Sequence, residues 1–218
     1  MTETGARLSS TTRVEAFSDG VMAIAITLLI LEIKVPERGH GSLLHDLLHQ
    51  WASYLAYLDS FLTIGVIWLC HHAFFSRIRH IDPLLQWGNL MLLLVVGFLP
   101  FPTAVLADRL PGGGWDAKVA TAFYGVVGML QALAWMLMWL PLRRRPEMFE
   151  PGFDSAFARI ESRLAWIGVL LFGLCAAIAL LVPWVALTMY VVFTGTYGIA
   201  SGGWYSFRAQ VARSDGPS

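Results

Sequence analysis

The stretch Thr12–Pro36, TRVEAFSDGVMAIAITLLILEIKVP, decides how the rest of the chain is read. Thr12-x-x-Glu15 has the spacing of a capping box, with Glu15 as the capping acid, so a helix is expected to open just before Arg13. Only Gly20 weakens it before Pro36, which extends the expected helix to about Val35. At 1.5 Å per residue that length is roughly 30 Å, the thickness of a bilayer's hydrocarbon core. At 100° per residue, Gly20, Ile24, Thr27 and Leu31 fall in one stripe with Ala16 and Ala23 beside it and Arg13 at its foot. Asp19 points about a quarter-turn away. A lipid anchor has no use for such a stripe. Small residues, one hydroxyl and branched apolar side chains suit close approach to another helix, whether in the same subunit or in a second copy.

Around this helix the composition is that of an integral membrane protein. The 218 residues are 56 % hydrophobic and 14 % charged, with a mean hydropathy of +0.61. Formal net charge is zero and no basic stripe exists beyond Arg143–Arg145, which argues against a nucleic-acid partner. Cys70 and Cys175 lie in apolar runs, so neither a disulfide framework nor a metal site is expected. No signal peptide is evident, because the first apolar stretch follows a polar start and contains acids.

Five further apolar segments are expected, over about 47–75, 84–106, 118–140, 160–182 and 184–205. Pro100 and Pro102 should kink the outer end of the third span. The fold class is therefore all-α, with six membrane-spanning helices over residues 12–207. Polar tails occupy 1–11 and 208–218. With the N-terminus inside, 11 of the 15 basic residues face the cytoplasm, and Lys34, Arg38, Arg109 and Lys118 do not. Both termini are thus expected to be cytoplasmic. Trp51, Trp115, Trp139, Trp184 and Trp204 fall near the expected interfaces, as an aromatic belt would.

Arg13-x-x-x-Phe17-Ser18-Asp19, followed by Gly20-Val21 and Ala23-Ile24-Ala25-Ile26-Thr27, resembles the signature of the transmembrane protein 175 family. These are bacterial, archaeal and lysosomal potassium channels whose first helix carries R-x-x-x-F-S-D. The resemblance implies a homotetramer in the plasma membrane, with the first helix of each subunit lining a potassium-selective pore. It places Ile24, Thr27 and Leu31 at pore-facing positions, with Leu28 beside them and a transient potassium ion near Thr27. It also implies that the motif braces the bundle rather than forming the filter, and that no cofactor is needed. No T-V-G-Y-G loop is present, so selectivity by backbone carbonyls of that kind is excluded.

The expected topology brings Asp19, Trp68, His71, His72 and Asn89 to one depth. A carboxylate there needs donors. Asp19 is expected to accept from His71 or His72, with Asn89 and Trp68 as further donors. Adjacent histidines lie about 100° apart on a helix and do not converge as metal ligands. Asp59, an acid near mid-membrane, suits a hydrogen bond inside the bundle or a proton relay. A proton-conducting channel or proton-coupled transporter is the alternative function, although no inverted repeat supports a transporter. No hydrolase elbow, H-E-x-x-H pair or Walker loop points to an enzyme.

Overall fold

The computed structural model describes residues 3–36, 42–150 and 155–200. Among them the chain is helical: α1 (Glu3–Leu28), α2 (Leu43–His49), α3 (Trp51–Phe75), α4 (Pro83–Phe98), α5 (Pro100–Arg109), α6 (Gly114–Arg144), α7 (Ser155–Ala179) and α8 (Pro183–Ala200). Five stretches are long and apolar enough to cross a membrane: Thr11–Glu32, Trp51–Phe75, Pro83–Arg109, Gly114–Arg144 and Arg159–Ala179. The expected sixth coincides with α8. Trp204 and the 208–218 tail lie outside the described residues.

Several boundaries correct the sequence expectation. The first helix does not open at Thr12 but already at Glu3, because no proline interrupts the residues between. Thr12-x-x-Glu15 is therefore interior, and Glu15 is not a cap. At the other end the helix tightens into a 3₁₀ turn, Leu29–Glu32, closed by Ile33 N–H donating to Ile30 O over 3.1 Å. The second segment divides at Gln50 into a short helix capped by Ser42 and the long α3. The third breaks at Leu99 as its two prolines imply: Pro100 and Pro102 withhold their donors and Leu99 N–H turns back to Val96 O.

α6 is the central helix, packed on α7, α4, α5 and α8. Close approach between α6 and α8 depends on Gly125, where an added Cβ would stand 2.0 Å from the Tyr190 hydroxyl. α1 lies at the side of the bundle against α3 and α4, and its 3₁₀ end meets α3 and α5. Met22, Ala25 and Leu29, spaced three and four apart, form its buried face. Of the tryptophans read as interfacial, Trp51 and Trp184 meet with ring centroids 5.4 Å apart, and Trp115 is exposed. Trp139 is not at a surface; it is buried edge-on against Phe74 at 4.9 Å.

Candidate functional site: the two faces of the first helix

α1 presents two faces with different chemistry. Its inner face is tied to α3 and α4 by polar side chains. Ser18 Oγ donates to Val14 O over 2.8 Å, which leaves its lone pairs for Asn89 Nδ2 of α4 at 2.9 Å. Asn89 Oδ1 then accepts from His71 Nε2 of α3, also at 2.9 Å. This arrangement assigns the proton to Nε2, since an amide oxygen can only accept. Ser18, His71 and Asn89 are all at most 2 % exposed.

Two more ties lie on the adjoining, more open side. Trp68 Nε1–H donates to Asp19 Oδ1 over 3.0 Å, and His72 Nδ1 meets Glu15 Oε1 at 2.9 Å. The expected histidine donor to Asp19 is thus corrected: Trp68 serves Asp19, His71 serves Asn89, and His72 pairs with Glu15. Asn89 bonds Ser18 instead of Asp19. The reason is rotational phase. Glu15 and Asp19 are four apart on α1, Trp68 and His72 four apart on α3, so each pair shares one helix face. Antiparallel helices match them crosswise. Ser18 and His71, each one residue earlier than a member of those pairs, share the next face and meet on Asn89. The matched spacing was visible in the sequence; reading Glu15 as a cap concealed it.

Arg13 and Phe17, expected within the same network, stand outside it. Phe17 is 58 % exposed, and Arg13 is exposed and makes no hydrogen bond or ion pair among the described residues. They belong to the outer face. There Gly20, Ala23, Ile24, Thr27, Leu28 and Leu31 continue the stripe, with Ile24 62 % and Leu31 68 % exposed in the single chain. Thr27 Oγ1 donates back to Ala23 O at 3.0 Å and Ile24 O at 2.8 Å. Its hydroxyl proton is committed to the helix, so toward the outside Thr27 offers lone pairs only. Leu28 ends α1 and Leu31 lies in the 3₁₀ turn that follows, both exposed on this face.

Among the described residues no group of three histidines, cysteines, aspartates or glutamates is placed to hold a metal ion. Above Arg13 the chemistry of the outer face is an apolar surface interrupted by one hydroxyl oxygen, that of Thr27.

Comparison with known proteins bears on what such a face does. Residues 13–100 match the family model described as endosomal/lysosomal potassium channel TMEM175. A Streptomyces collinus protein named as a potassium channel is 49 % identical over 148 residues, covering 67 % of this chain and 71 % of the relative. The crystal structure of a lysosomal potassium-selective channel TMEM175 homologue from Chamaesiphon minutus superimposes with a TM-score of 0.79. It is 35 % identical and covers 88 % of this chain and 98 % of that one. The chicken endosomal/lysosomal proton channel TMEM175 is 45 % identical over 97 residues, which is only 19 % of its length.

Proposed function

The chain belongs to the TMEM175 family, and from that membership we propose that it is a potassium-selective channel in which four copies turn the outer face of α1 toward a common axis. The observation that carries the reading is the contrast between the two faces of α1. One is bonded to α3 and α4 through Ser18, Asp19 and Glu15. The other exposes small residues, apolar branched side chains and a hydroxyl without its donor.

In this reading α8 is the sixth span, and both termini are cytoplasmic in a plasma-membrane protein. Each of four Thr27 side chains contributes an oxygen lone pair to a partly dehydrated cation. Rings of Ile24 below and Leu28 and Leu31 above form apolar constrictions that a cation passes only after giving up part of its hydration shell. Potassium, larger and more weakly hydrated than sodium, loses less on that passage. The Trp68–Asp19 bond is the outermost of the α1–α3 ties and lies at the open side of the protomer, where a neighbouring copy would pack.

The test is ion flux into proteoliposomes holding the purified tetramer, at matched potassium and sodium gradients. Potassium flux exceeding sodium flux is expected. Equal fluxes would remove the selectivity, and flux of protons alone would replace this reading by the proton channel that the vertebrate relatives' name describes.

A further inference from the structure

The ties between α1, α3 and α4 do not account for Asp59. This residue of α3 is 2 % exposed, and neither carboxylate oxygen has a hydrogen-bond partner among the described residues. Beside it stands the buried phenol of Tyr124 from α6.

The hydroxyls that follow form an ordered chain. Tyr124 Oη lies 2.9 Å from Ser60 Oγ, and Ser60 Oγ lies 2.7 Å from Thr103 Oγ1. Thr103 Oγ1 lies 2.8 Å from Leu99 O. Each hydroxyl carries one proton, and a carbonyl oxygen can only accept. Thr103 therefore donates to Leu99 O. Ser60 must then donate to Thr103, and Tyr124 to Ser60. What Tyr124 turns toward Asp59 is a lone pair.

An ionised carboxylate at that place would be a buried charge facing an acceptor, the least favourable state available to it. A carboxylic acid fits, since it carries no charge and its O–H can turn toward the lone pair of Tyr124. We propose that Asp59 is a proton-binding site inside each subunit, loaded as the neutral acid and heading a hydroxyl chain from α3 through α6 to the Leu99–Pro100 break.

The same geometry fixes what loss of that proton does. Ionised Asp59 draws the Tyr124 proton, Ser60 turns to Tyr124, and Thr103 turns to Ser60. One proton leaves, three hydroxyls reverse, and Leu99 O keeps only its backbone donor, Thr103 N–H at 3.2 Å. The titratable groups that face Asp59 are two phenols, Tyr124 on α6 and Tyr190 on α8. Both α3 and α5 contact the 3₁₀ turn that ends α1. The site thus belongs to helices that touch the outer end of α1 and not to the outer face of α1 itself, and it stands whether or not that face conducts ions.

Infrared spectroscopy of the protein in lipid at neutral pH tests this. The spectrum of the unaltered protein minus that of Asp59→Asn should contain the carbonyl stretch of a protonated carboxylic acid. Tyr124→Phe, which removes the acceptor, should move that band to higher frequency. Asparagine supplies an N–H donor to Tyr124, so Asp59→Asn should assemble like the unaltered protein. Carboxylate stretches in place of the acid band would overturn the proposal, as would an acid band indifferent to Tyr124→Phe. Failure of Asp59→Asn to assemble would overturn it too, because the replacement keeps the donor the chain requires.

Discussion

Replacing Leu31 with asparagine is expected to raise cation flux about tenfold or more and to narrow the difference between potassium and sodium. In the proposed tetramer one substitution becomes a ring of four, and each asparagine replaces a branched apolar surface with an amide that holds water. A tenfold change needs a barrier lower by only about 1.4 kcal/mol, a small share of what partial dehydration of a cation costs in an apolar constriction. Leu31 is the sharper site because its side chain is the more exposed of the two leucines on this face, 68 % against 42 % for Leu28. Ile24→Asn should act in the same direction from the inner side of Thr27. Unchanged potassium and sodium flux in both variants would place the two residues outside the ion path.

The second large effect is on assembly. Asn89→Leu should destabilise the protein by about 2–4 kcal/mol, because it strands two buried groups at once and an orphaned buried donor or acceptor costs about 1–3 kcal/mol. His71 Nε2–H loses its acceptor and Ser18 Oγ its donor, both in fully buried positions. Ser18→Ala leaves one amide proton of Asn89 unmatched and should cost roughly half as much. Thermal unfolding in mild detergent, read together with the fraction of intact oligomer, would measure both. Equal midpoints for Asn89→Leu and the unaltered protein would mean that apolar packing alone fixes α1 against α3 and α4.

Much of this was legible in the sequence. Five of the six expected spans followed from hydropathy, the break at Leu99 from two prolines two residues apart, and the outer stripe of α1 from its period. Leu43–His49 was not legible as a separate helix, since the apolar run continues through Gln50 and only the backbone turn there divides it. The polar layer was legible in depth but not in pairing. Topology brings Asp19, Trp68, His71, His72 and Asn89 to one level, yet a rotation of α3 by one residue, about 100°, would put His72 where His71 stands. Glu15 shows how a local motif can mislead. Its capping spacing with Thr12 is real in the sequence, but a helix already running from Glu3 has no free amides there to cap. The Asp59 chain was out of reach for another reason. Ser60, Thr103 and Tyr124 come from three different helices, and their meeting depends on how α5 departs from α4 after the proline break.

The central claim is that the outer face of α1 meets the permeant ion, and silver tests it most directly. Ag⁺ is a monovalent cation that binds thiolate, and the protein's own Cys70 and Cys175 are buried. Thr27→Cys should conduct potassium and lose that flux on addition of Ag⁺, while the unaltered protein is unaffected. Potassium flux through Thr27→Cys that persists in Ag⁺ would contradict a pore lined by this face.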